Sequence, residues 1–264
     1  MKQAVLYVCH GSRVKEACEE AIAFISRCQE HIHAELHEIC FLELVSPSIE
    51  EGFLSCIEQG ATHIAVVPLL LLTAVHAKED IPLEIERASK RYPNVQITYG
   101  KPLGVHRKLA ESVLERVAEQ QIENSTSSIV VLIGRGSSDP DVMKDLQMIA
   151  ELVKKQSGID DVRTCFLTAA TPSFEDMLVE VTSLKDKQIY FVPYLLFTGI
   201  LMKKIAAKVS TARKQNDNIR LCRYLGYDSK VEAVFVERVK EAIQNEDSIY
   251  TFNQGEVVNV TING

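Results

Sequence analysis

Short, mainly apolar runs alternate with longer amphipathic ones along this chain. The short runs fall near residues 4–9, 38–44, 63–71 and 95–99, and again near 128–133, 162–167, 188–195 and 219–224. Apolar runs of this length are what strands covered on both faces require. Between the first two, Ala17, Ala21, Phe24, Ile25 and Cys28 recur at spacings of three and four, with Glu19, Glu20 and Glu30 on the other side. That spacing predicts an amphipathic helix. Ser48 with Glu51, behind Pro47 and ahead of Phe53 and Leu54, predicts a helix start closed by a capping box. Another helix is expected after Asp80, with Pro82 in its first turn, and it should run to about Arg91. Strand, helix and strand in this order predict parallel sheets joined by right-handed crossovers.

The pattern also repeats. At an offset of 125 residues, Val5-Leu6-Tyr7-Val8-Cys9-His10-Gly11-Ser12 falls on Val130-Val131-Leu132-Ile133-Gly134-Arg135-Gly136-Ser137. Pro47-Ser48 falls on Pro172-Ser173, and the run from Ile64 to Leu71 on that from Ile189 to Leu196, in one ungapped frame. One offset held over so long a stretch indicates an internal duplication. The expected fold class is therefore α/β: two similar open four-stranded parallel sheets, doubly wound and flanked by helices. Domains are expected at 1–124 and 125–264, with a polar linker near 119–128. Residues 245–264 show weak periodicity, and no element is assigned to them.

Composition narrows the function. A formal net charge of −7 over 264 residues argues against a general phosphate-backbone binder. Seven cysteines without a CxxC pair suit reduced thiols better than a disulfide framework. The longest apolar run, 64–75, is broken by Pro68 and is shorter than the roughly 20 residues a bilayer needs. The expectation is a soluble cytoplasmic monomer with no nucleic-acid or membrane partner. Familiar nucleotide signatures fail: Gly134-Arg135-Gly136 meets Asp139 where the third glycine should stand, and no phosphate-loop motif is present. His10-Gly11-Ser12 has no GxSxG elbow around it.

The repeat is chemically lopsided. His10, Glu43 and His76 of the first copy become Arg135, Thr168 and Leu201 in the second, and all seven histidines lie at or before His106. In open parallel sheets ligands gather at the carboxyl ends of the strands, which is where these three fall. With the first strand between the second and third, and neighbours about 4.8 Å apart, the three side chains could reach one divalent ion. The plain alternative gives each a separate duty: a turn residue, a strand-end charge and a helix cap. His31, His33 and His37 are expected on a solvated surface, and His63 in a structural role. His106 is expected to open a helix, with the same cleft as the alternative. Cys9, adjacent to His10 in a strand, should point into the core.

Val8-Cys9-His10-Gly11-Ser12-Arg13, Phe41-Leu42-Glu43 with Pro47-Ser48, and Val67-Pro68-Leu69-Leu70-Leu71 followed by His76 resemble the class II tetrapyrrole chelatases. These are the sirohydrochlorin and cobalt-precorrin chelatases, which need no ATP. With both copies in one chain the resemblance is to the long, bacillus-type form, and it covers roughly residues 2–245. It implies a chelatase-like fold and insertion of a divalent metal into sirohydrochlorin to give siroheme. Fe2+ is the metal it favours, with Co2+ or Ni2+ as alternatives, and no cofactor is implied beyond that metal substrate. By the same resemblance His10 and His76 bind the metal, and Glu43 assists as ligand or general base. The second copy departs from the pattern at all three positions. The carboxylates of such a substrate need a polar, cationic rim, for which Ser12, Arg13, Arg135, Lys203 and Lys204 are candidates. The second copy would then form the facing wall of the macrocycle cleft. Competing readings are a cobaltochelatase of cobalamin synthesis, a phosphoryl-transfer enzyme using His10 beside Arg13, and a non-catalytic metal or tetrapyrrole carrier.

Overall fold

A computed structural model describes residues 1–120, 128–244, 250–253 and 256–260. The expected boundary between residues 124 and 125, and most of the expected linker, lie outside the described residues. The chain divides into two compact units, residues 1–104 with those from Glu232 onward, and residues 105–231.

In the first unit, β1 (Gln3–Cys9), β2 (Leu36–Phe41), β3 (His63–Pro68) and β4 (Gln96–Tyr99) form the parallel order β4-β3-β1-β2. β1 is buried along its whole length, as its unbroken apolar run requires. Leu6, Val8, Ile64 and Val66 meet Phe53, Ile81 and Ile85 on one face of the sheet. On the other face Tyr7 packs against Phe235 and Phe235 against Phe24. The covering helices are α1 (Lys15–Gln29), α2 (Ile49–Glu58) and α3 (Ile81–Arg91). α2 opens with the capping box expected at Ser48 and Glu51: the Ser48 side chain accepts from the Glu51 N–H, and the Ser48 N–H donates to the Glu51 carboxylate.

The second unit repeats the plan with β5 (Ser128–Gly134), β6 (Asp161–Phe166), β7 (Gln188–Pro193) and β8 (Ile219–Leu221), parallel in the order β6-β5-β7-β8. Its helices include α5 (Pro140–Ser157), α6 (Phe174–Thr182) and α7 (Ile200–Arg213). Both four-stranded parallel sheets expected from the sequence are present.

Three features depart from the expectation. The units are not the sequence halves: α4 (Arg107–Ala118), which closes the first half, belongs to the second unit, and most of α8 (Ser229–Gln244), which closes the second half, belongs to the first. Burial explains the exchange. The Arg116 side chain on α4 is 4% exposed and donates to Asp228 of its own unit, while Phe235 of α8 fills the space over Tyr7. The second departure is that part of 245–264 is ordered. β9 (Tyr250–Asn253) pairs antiparallel with β4, and β10 (Glu256–Val260) pairs antiparallel with β9, so the first sheet has six strands. Weak periodicity hid them because strands of four and five residues are too short for an alternation to register.

The third departure is an extra residue. A π-helical turn, His76–Asp80, precedes α3, and the Ile81 N–H reaches back five residues to the His76 carbonyl. Ile81, Ile85 and Ala88 are buried under the first sheet as Ile205, Val209 and Ala212 are under the second, an offset of 124 in place of 125. The frame that runs ungapped through β3 therefore slips by one at the π-turn, and α7 has no such turn at its start.

Candidate functional site

His10 follows the last residue of β1, Glu43 lies two residues beyond β2, and His76 lies past the end of β3. Because β1 sits between β2 and β3, this is the point where the winding of the sheet reverses. The end of β2 is fastened to the loop after β1: the Leu42 N–H donates to the Cys9 carbonyl at 2.8 Å and the Glu43 N–H to that of His10 at 3.2 Å. The loop can approach so closely only because residue 11 is glycine. At Gly11, φ is +91° and a Cβ would stand 1.9 Å from the Glu43 carbonyl oxygen. Leu44, immediately after Glu43, holds a left-handed φ of +72°, an uncommon backbone for a branched residue and a local strain at the point that aims Glu43.

His10 Nδ1 stands 3.1 Å from the Gly11 carbonyl oxygen and 3.5 Å from Glu43 Oε1. The carbonyl can only accept, so Nδ1 donates, and in the neutral imidazole Nε2 carries the lone pair. The His10 and His76 rings lie edge to face, with centroids 5.0 Å apart and planes at 88°. His76 Nδ1 is 2.7 Å from Asp80 Oδ2, its neighbour four residues on. The side chains of His10, His76 and Glu43 are 24%, 34% and 45% exposed, enough for an ion to reach them from solvent.

His10 is thus brought against both Glu43 and His76. Among the described residues, however, no three His, Cys, Asp or Glu side chains are already gathered as a group able to hold an ion. The three are paired rather than convergent, because the Glu43 carboxylate is turned toward His10 Nδ1 and the His76 ring is held by Asp80. Such an arrangement offers two imidazole donors and a carboxylate beside one of them. Cys9, next to His10, is 3% exposed, points into the core as expected, and burial pushes its thiol up to about 12.

The other candidates divide as follows. The Ser12 hydroxyl accepts from the Val14 N–H at 3.1 Å and so ties its own loop, while Arg13 beside it is exposed. Arg135 and Lys203 are exposed and belong to the second unit, with Lys203 and Lys204 the fourth and fifth residues of α7. Arg135 occupies the loop equivalent to that of His10, and Gly136 there has a φ of +88° and a Cβ position 1.8 Å from the Thr168 carbonyl. His106 caps α4, its ring accepting from the Lys108 N–H at 3.1 Å, the helix-opening role expected of it. His31 and His33 are exposed. His37 differs from the surface expectation: it is half-buried, stacks on Tyr7 and takes the Tyr7 hydroxyl at 2.9 Å. Asp80 was the residue that sequence spacing concealed. Its signal was the interval of four from His76, which reads equally well as a helix opening.

The family model described as CbiX matches residues 4–120 and again 129–242. The chain belongs to the CbiX family. The double match recovers the duplication, yet of the two CbiX copies only the first carries His10, Glu43 and His76. Among similar family members, the sirohydrochlorin ferrochelatase of Bacillus subtilis (strain 168) is 47% identical over 255 residues, covering 97% of this chain and 97% of that one. The sirohydrochlorin cobaltochelatase of Priestia megaterium is 34% identical over 250 residues, covering 92% of this chain and 81% of that one. A solved structure of SirB from Bacillus subtilis with Fe3+ superposes with a TM-score of 0.87 at 48% identity, covering 93% of this chain and 97% of that one. The sirohydrochlorin chelatase SirB from Bacillus subtilis subspecies spizizenii, in complex with cobalt, gives a TM-score of 0.84 at 46% identity, covering 94% and 99%. Among the described residues no helix is long and apolar enough to cross a membrane.

Proposed function

We propose that this protein is a sirohydrochlorin ferrochelatase, inserting Fe2+ into sirohydrochlorin to give siroheme without ATP. The observation that carries this is the pair of imidazoles at the strand ends, 5.0 Å apart and with Glu43 beside His10. That pair stands in a chain 47% identical along nearly its whole length to a sirohydrochlorin ferrochelatase. Iron is favoured over cobalt by that identity, against 34% to the cobaltochelatase.

Insertion needs a metal ion stripped of part of its water, four ring nitrogens to receive it, and an exit for two N–H protons. His10 and His76 hold the incoming ion through Nε2. Two neutral nitrogen donors bind a borderline divalent ion well enough to desolvate it, yet release it to a ring that offers four. Glu43 takes the two pyrrole protons in succession as the metal passes to the ring, handing each to solvent, which its 45% exposed side chain can reach. In this reading Arg13, exposed on the loop that also carries His10, meets the carboxylates of the substrate, with Ser12 beside it.

The test is the visible spectrum of sirohydrochlorin under anaerobic conditions with Fe2+ and a small fraction of one equivalent of protein. Conversion of many equivalents without ATP is expected. Conversion or binding of one equivalent only would favour the carrier reading, and turnover with Co2+ but not Fe2+ would favour the cobaltochelatase.

A further inference from the structure

We infer that Asp80 is a positioning residue for His76, and that the π-turn exists to make room for it. The inference rests on the assignment of His76 as a metal donor made above.

The two units supply an internal comparison. In α7 the residue four after Leu201 is Ile205, which is fully buried in the core of the second unit. Were the first unit built the same way, the residue four after His76 would also have to be a core residue. The extra residue in the π-turn changes this: the core position moves five residues on, to Ile81, which is likewise fully buried. The place four residues on is thereby released from the core to Asp80, whose side chain is 48% exposed and reaches His76 Nδ1 at 2.7 Å. The unit that has leucine in place of histidine has neither the carboxylate nor the extra residue. A π-turn disrupts regular helix bonding and is retained where the local geometry has a use.

The use follows from the chemistry of imidazole. A carboxylate on Nδ1 fixes that nitrogen as the donor, so the neutral ring presents the lone pair of Nε2. It also restrains rotation of the ring about its bond to Cβ. His10 receives the matching treatment from the Gly11 carbonyl and Glu43. Both imidazoles are held at Nδ1, and the His76 ring then stands edge to face with that of His10.

The experiment is a titration of the full-length protein, without tetrapyrrole, by Co2+ followed in the visible ligand-field bands, for the parent, His76→Ala, Asp80→Ala and Asp80→Asn. Asp80→Ala is expected to weaken Co2+ binding about 10- to 100-fold, the usual cost of losing such a partner. It should raise the KM for metal while leaving the KM for sirohydrochlorin unchanged. Asp80→Asn keeps an acceptor oxygen and should recover most of the affinity. In the metal-free parent, 15N shifts of the imidazole should show His76 as the Nδ1–H tautomer. Parental Co2+ affinity in Asp80→Ala, or a predominantly Nε2–H tautomer for His76, would overturn the inference alone. Parental affinity in His76→Ala would overturn the functional assignment and this inference with it.

Discussion

At Gly11 the φ of +91° and the Glu43 carbonyl, 1.9 Å from where a Cβ would stand, exclude any larger residue without displacing the loop. Gly11→Ala is expected to destabilise the protein by on the order of 1–3 kcal/mol, measured by urea unfolding, and to lower metal affinity because Glu43 and His10 move together. His10 and Glu43 were legible in the sequence because strand ends could be counted and because the second copy lacks both. The hydrogen bonds that aim them were not, since nothing in the spacing says which nitrogen of an imidazole is engaged. Cys9 illustrates the converse: strand alternation alone placed it in the core. With its thiol pushed up to about 12 it stays protonated near neutrality, so native Cys9 should resist iodoacetamide at pH 8 and react at an ordinary rate only after unfolding. Rapid modification of native Cys9 would contradict its placement.

At the scale of elements, β1, β3, β5 and β7 were readable from nearly unbroken apolar runs and the other parallel strands from shorter, interrupted ones, and the start of α2 from Ser48 and Glu51. What failed was the interval between β3 and α3. A single inserted residue leaves the apolar pattern on both sides intact and shows itself only as a slip of one in the repeat, which three buried helix positions reveal. Deleting the exposed Lys78 should convert the π-turn to the regular helix start of the second unit. The expected outcome is an unchanged or raised Tm with Co2+ affinity reduced at least tenfold. A folded deletion variant with parental affinity would show that the turn has no part in metal binding. β2 carries a pH-dependent element too. Burial lowers the pKa of His37 below the ordinary 6.5, while its backbone hydrogen bond opposes this. Its neutral form is the one that the fold favours. The associated stability is complete above pH 6.5 and is lost as pH falls through the lower folded value. His37→Gln, which still accepts from Tyr7, should therefore lose less stability than the parent between pH 7.5 and 5.5, as read from urea midpoints.

Over the whole molecule, duplication conserved the scaffold, while the three residues proposed to handle the metal stand in one copy. Loops of equal geometry end β1 and β5, with Gly11 and Gly136 both pressed on a carbonyl, yet one presents His10 and the other Arg135. The exchange of α4 and α8 between units was invisible in the sequence, because each helix has an apolar face that either sheet would accept. On the proposed assignment, Co2+ titration should saturate at one equivalent per chain. The central claim is that His10 and His76 hold the ion that is inserted. Its most direct test is the anaerobic rate of Fe2+ insertion into sirohydrochlorin by His10→Ala and His76→Ala beside the parent, with circular dichroism to check folding. Each variant is expected to remain folded and to lose more than ~100-fold in turnover, whereas parental turnover in either would contradict the account.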